Sequence, residues 1–129
     1  MLPKWPPEYN LNQVPSVDQE YWDMEVETMD PLRRLDLIMS KLQGQVDWAY
    51  ERSPFYRKRW DEAGFHPSQL HSIDDFHRIP IITKEDLRED LVDNPPFGSN
   101  ICDDWPNILR IHGSSGTTGI PTVIAISKG

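Results

Sequence analysis

Little in this sequence suits a secreted, disulfide-stapled or membrane-spanning protein. One residue of 129 is cysteine, Cys102, which leaves no partner for an internal disulfide and fits a reducing compartment. The opening Met-Leu-Pro-Lys-Trp-Pro-Pro carries no apolar h-region, so it does not read as a signal peptide. No apolar run approaches the ~20 residues that cross a bilayer. Basic charge is scarce as well: 13 Lys and Arg stand against 21 Asp and Glu, for a net charge of −8. Such a chain repels nucleic acid and anionic lipid, so neither is expected as a partner. The expectation is a soluble, cytoplasmic protein.

Apolar residues make up 37% of the chain and the mean hydropathy is −0.62. That is a lean core, compatible with a small domain or with part of a larger one. Proline, by contrast, is abundant, and 12 of them interrupt regular structure often. Residues 1–29 hold Pro3, Pro6, Pro7 and Pro15 among scattered aromatics, with no period of 3.6 or 2. An extended arm is expected there, anchored near Tyr21-Trp22.

Helical punctuation begins at Asp30-Pro31, an N-cap followed by proline at the first helical position. Leu32, Leu35, Met39, Leu42, Val46 and Ala49 recur at spacings of three and four, predicting one apolar stripe on a helix to about Glu51. Ser53-Pro54 repeats the start signal for a shorter helix through Trp60, closed by Gly64. Ser72 with Asp75 and Thr83 with Asp86 have capping-box spacing and predict helices near 73–77 and 84–91. The basic cluster Arg52, Arg57, Lys58 and Arg59 reads as a solvated helix face.

After Pro95-Pro96 the character changes. Residues 108–112 and 122–126 read as strands, joined by a loop from Gly113 to Gly119. A two-stranded hairpin buries little and is marginal alone, so its partner strands are expected beyond Gly129. The loop sets Ser114, Ser115, Thr117 and Thr118 among Gly113, Gly116 and Gly119. Glycines let the backbone turn and approach a ligand, and successive amides with hydroxyl donors form an anion-binding concavity suited to phosphate. A flexible Ser/Thr/Gly hairpin without a ligand is the alternative. It is not a Walker A loop, because no Gly-Lys-Ser/Thr opens a following helix.

Ser114-Ser115-Gly116-Thr117-Thr118-Gly119-x-Pro121 resembles the phosphate loop of the adenylate-forming superfamily. Pro121-Thr122, where most members have Pro-Lys, resembles its phenylacetate–CoA ligase branch. So do residues 50–57, 63–65 and 79–88, and Arg110-Ile111-His112 before the loop. The resemblance runs from about residue 21 onward. It implies an α/β protein: an extended arm (1–29), a helical N-terminal subdomain (30–98), and the first strands of an incomplete adenylation domain (99–129).

It further implies an ATP-dependent reaction in which a carboxylic acid becomes an acyl-adenylate and then a coenzyme A thioester. ATP, Mg²⁺ and coenzyme A are the implied cofactors, and an aryl carboxylic acid such as phenylacetate the implied small-molecule partner. Ser114, Ser115, Gly116, Thr117, Thr118 and Gly119 would hold the ATP phosphates. Ile120 stands where many relatives have a cation, and the loop has none of its own until Lys128. The branch's adenine-binding, Mg²⁺-linked and catalytic-lysine segments lie downstream of the matched region, so this chain alone is expected to be inactive. Rival readings are a non-catalytic remnant or interaction module, and an adenylating enzyme that does not use coenzyme A.

Among other constellations, His66, His71 and His77 lack the spacing of a metal site and read as surface histidines. Cys102 reads as a packed or solvent-facing thiol. His112 has two readings, a packed strand residue or a neighbour of the acyl site. Exposed apolar surface on an incomplete sheet makes self-association, as a homodimer, a further expectation.

Overall fold

The computed structural model describes residues 17–114 and 121–127. A first short helix, α1 (Met24–Glu27), is followed by the long α2 (Pro31–Arg52), by α3 (Pro54–Glu62) and by α4 (Lys84–Asp93). Short 3₁₀ segments occupy Pro67–Gln69, Ile73–Arg78 and Trp105–Asn107, and a hairpin of β1 (Ile108–Gly113) and β2 (Val123–Ser127) comes last.

Local chemistry accounts for the helix starts. Asp30 accepts from the amides of Leu32 and Arg33, with Pro31 inside the first turn of α2. Ser53 ends α2 and begins α3, accepting from the Tyr56 amide. Thr83 and Asp86 form the reciprocal box at α4. The box at Ser72 and Asp75 starts the short helix expected there, which is of the 3₁₀ type. A third box, His66 with Gln69, has no counterpart in the sequence reading because histidine is not a usual N-cap. Within the extended arm, Asp23 accepts from Val26 and nucleates α1. Trp22 does not anchor that arm, being 71% exposed.

The core lies where α2, α3 and the turn after α3 meet. Val46, Ala49, Trp60, Phe65 and Leu70 are buried together, with Met39, Leu42, Tyr50, Tyr56, Ile79 and Cys102 packed around them. Tyr50 stacks on Trp60, and Phe65 meets Trp60 edge-on. Gly64 reverses the chain between them at φ +71°, a left-handed conformation that costs other residues energy. Only the C-terminal half of the predicted α2 stripe enters this core. Leu32 and Leu35 stay exposed, because α1 and the 3₁₀ turns do not cover the first turns of α2.

The basic cluster is more engaged than a solvated face. Arg57 donates through Nε to the Tyr50 carbonyl and through a terminal nitrogen to the Glu51 carbonyl, satisfying the C-terminal end of α2. Arg59 pairs with Asp86 at 2.9 Å and lies over the Phe55 ring, tying α3 to α4.

The hairpin is antiparallel. His112 faces Ile124, Ile111 faces Ala125 and Gly113 faces Val123, with a register shift between Ile108 and Arg110. Leu109, Ile111, Ile124 and Ile126 are all exposed, so apolar surface remains open on both faces of the ribbon. The described part is thus mostly helical with a two-stranded sheet, a narrower architecture than the expected α/β domain.

Candidate functional site

The candidate phosphate loop begins and ends in the hairpin. β1 runs out at Gly113 and β2 begins at Val123, and the two sides meet at Ser114 and Thr122. The Ser114 amide donates to the Thr122 carbonyl at 3.0 Å. The Thr122 amide donates to Ser114 Oγ at 2.9 Å. These two bonds close the loop at its base. A hydroxyl that accepts one such bond can still donate another. Ser115, Gly116, Thr117, Thr118 and Gly119, the other predicted phosphate contacts, lie outside the described residues.

His112 is exposed on β1 among the described residues. Strand periodicity sets it on the same face as Ser114, two residues on. Thr122 is buried at 7% exposure. The sequence reading treated it only as the start of a strand and the replacement for a lysine; its burial depends on three-dimensional packing that spacing does not report.

Between the hairpin and the helical body lies a cleft of about 310 Å³, whose lining includes Trp48, Tyr56, Cys102, Asp103, Ala125 and Ser127. Asp103 fastens its rim. Its carboxyl is held below the usual carboxylate range by the Asn107 side-chain amide, and further by the Asp104 amide and the Ser127 hydroxyl. Cys102 is half-buried, and burial pushes its thiol above the ordinary value, against the pull of Arg52. That is the opposite of a reactive thiolate and agrees with a packing role. His66, His71 and His77 are exposed.

No family model matches the chain. Individual proteins do. It is 43% identical over 101 residues to a phenylacetate–coenzyme A ligase of Aromatoleum evansii, covering 78% of this chain and 21% of the relative. It is 37% identical over 105 residues to that of Escherichia coli K12, covering 81% of this chain and 22% of the relative. Over about four fifths of its length the chain is similar to phenylacetate–CoA ligases. It spans about a fifth of the length of these curated relatives.

Solved structures agree with that similarity. A 2-hydroxyisobutyryl-CoA ligase in complex with 2-HIB-AMP and CoA, in its thioesterification state, superimposes with a TM-score of 0.89 at 43% identity. That match covers 99% of this chain and 27% of the ligase. The described helices and hairpin therefore match a segment of a much longer ligase structure. No helix among the described residues is long and apolar enough to cross a membrane.

Proposed function

We propose that this chain is the N-terminal portion of a cytoplasmic, ATP-dependent acid–CoA ligase. The observation that carries the reading is the joint match to phenylacetate–CoA ligases in sequence and to a CoA ligase holding an acyl-AMP in structure. In this reading the arm (1–29) and helical subdomain (30–98) precede the start of the adenylation domain (99–129). Ser114, Ser115, Gly116, Thr117, Thr118 and Gly119 bind the ATP phosphates, and His112 stands beside the acyl site.

The chain's own contribution is to orient charge. Ser114, fixed by Thr122, offers a neutral donor toward a phosphate oxygen, and donors placed before the reaction need no reorganisation as pyrophosphate departs. With no lysine or arginine between Arg110 and Lys128, the loop supplies dipoles and leaves full positive charge to other groups. Part of that charge would come from Mg²⁺ when it is bound with the nucleotide. Coenzyme A accepts the acyl group in the second half-reaction.

Phenylacetate or a related aryl acid is the proposed substrate. A second reading, a small aliphatic hydroxy acid, is favoured by the 43% identity to 2-hydroxyisobutyryl-CoA ligase. The deciding experiment expresses the complete reading frame that encodes this segment and follows AMP release with each acid, with and without coenzyme A. CoA-dependent thioester formation with phenylacetate supports the first reading, and with 2-hydroxyisobutyrate the second. Adenylate formation that ignores coenzyme A points to an adenylating enzyme of another type. A reading frame that stops at Gly129, with no AMP release, leaves the remnant or interaction-module reading.

A further inference from the structure

The apolar stripe of α2 is only half used. Met39, Leu42, Val46 and Ala49 belong to the core, whereas Leu32 is 75% and Leu35 39% exposed on the first turns of the same face. Ile38, three residues on from Leu35, is exposed too. Beside them runs a groove of about 490 Å³, flanked by α1, whose apolar lining is Val26, Met29, Leu37 and Ile38. Contiguous apolar surface of this kind marks an interface rather than a face left to water.

The open residues continue a stripe whose other half is the chain's own core, so what covers them extends that core. The segment spans about a fifth of its curated relatives, and the ligase that superimposes on 99% of it has only 27% of its own chain in the match. A second copy is the weaker occupant, because two segments of net charge −8 repel each other. Charge at the groove also asks for something specific. Arg33 pairs with Glu25 and Arg34 donates to the carbonyls of Val26 and Glu27, while Lys41, on the groove lining, makes no ion pair among the described residues. We infer that the first half of α2 and the groove beside α1 form an interface within the complete protein. Its occupant is polypeptide outside residues 1–129, bringing apolar side chains to the stripe and a carboxylate to Lys41. This rests on the proposed reading of the chain as part of a longer ligase and adds where the remainder docks.

The test uses the complete protein, at a concentration where sedimentation shows monomer. Hydroxyl-radical labelling reads the solvent access of Leu32 and Leu35 against that of Leu70, a leucine only 2% exposed and so an internal standard for burial. Both should label as slowly as Leu70. Leu32→Asp gives a second readout. Left uncovered in the first turn of α2, an aspartate is favourable near the helix N-terminus, and the variant would melt at or above wild type. Beneath an apolar cover its carboxylate is desolvated, and the variant should melt lower.

Labelling of Leu32 severalfold faster than Leu70 in the monomer overturns the inference, as does an aspartate variant that melts at or above wild type. Protection that appears only where the protein is a dimer overturns it as well, and assigns the surface to a second copy. A reading frame that stops at Gly129 removes the ligase reading and the inference together. A longer product that releases no AMP with any acid removes the ligase reading alone, and the labelling of Leu32 still decides the interface.

Discussion

Ser99 gives both its backbone N–H and its hydroxyl to the carboxylate of Asp90, each at 2.6 Å. Asn94 adds a third donor at 2.9 Å, and Asp90 is buried. The Ser99 carbonyl in turn accepts the Ser53 hydroxyl at 2.9 Å and the Phe55 amide at 3.4 Å. One serine therefore joins the end of α4 to the start of α3, and the chain leading toward the hairpin is held to the helical body there.

The first prediction concerns that junction. Asp90→Ala leaves three donors without their acceptor in a buried place and should cost about 3 kcal/mol. Ser53→Ala removes a cap and a bond to Ser99, for about 1–2 kcal/mol. Both act through Ser99, so the double variant should lose less than the two single losses combined. Urea unfolding of the four proteins measures it, and strict additivity would show that Ser99 does not couple the two helices.

Two glycines with similar backbone angles should respond differently to alanine. Gly64 has φ +71°, and an added Cβ would meet nothing within 4 Å. Gly98 has φ +81°, and an added Cβ would lie 2.6 Å from Asp90 Oδ2 and 2.9 Å from Asn100 Oδ1. Gly64→Ala carries only the left-handed penalty, about 1–2 kcal/mol. Gly98→Ala also displaces the Asp90 carboxylate from Ser99 and should lose about 2 kcal/mol more. Equal losses in thermal unfolding would mean that the carboxylate moves aside freely.

Acid should weaken the joint between α3 and α4. The Thr83 amide and hydroxyl both donate to Asp86 at 2.7 Å, and Arg59 pairs with it. The Thr83 amide is the largest of the influences that hold the Asp86 carboxyl below its ordinary value. A carboxyl depressed in the folded state contributes stability above its unfolded value, near ~4. That contribution disappears as pH falls through the lower, folded value. Below about pH 4, Asp86→Asn should therefore lose stability less steeply than wild type, as urea midpoints would record. Parallel curves would assign the acid sensitivity to other carboxylates.

Much of this architecture is written in local signals. Asp30-Pro31, Ser53-Pro54 and the Thr83–Asp86 box each announce a helix, because a cap's hydrogen bonds reach only three residues along the chain. The hairpin was legible for a similar reason, as two β-rich runs flanking glycines. What stayed hidden depends on distant contacts. Asp90 sits in the run Lys84–Asp93 among six other charged residues, and nothing there marks it as the residue that meets Ser99. Leu32 and Leu35 share the periodicity of Val46 and Ala49, yet only the latter pair is covered. Periodicity reports a face; what packs on that face lies elsewhere in the fold.

The hairpin yields the last prediction, because its environment should differ between the isolated segment and the complete protein. Ile124 and Ile126 are 53% and 44% exposed here, and β1 and β2 pair only with each other among the described residues. Apolar side chains on unpaired strand edges template association. In the 129-residue chain alone, Ile124→Lys with Ile126→Lys should shift the protein toward monomer, as sedimentation or light scattering would show. In the complete protein, whose relatives are several times longer, the proposed further strands cover those positions, and burying two unpaired ammonium groups should destabilise the fold by several kcal/mol. Opposite signs in the two settings support a hairpin that forms the first piece of a larger sheet. A pair of lysines harmless in both would place Ile124 and Ile126 on the outer surface of the whole protein, and the sheet would have to grow from another edge.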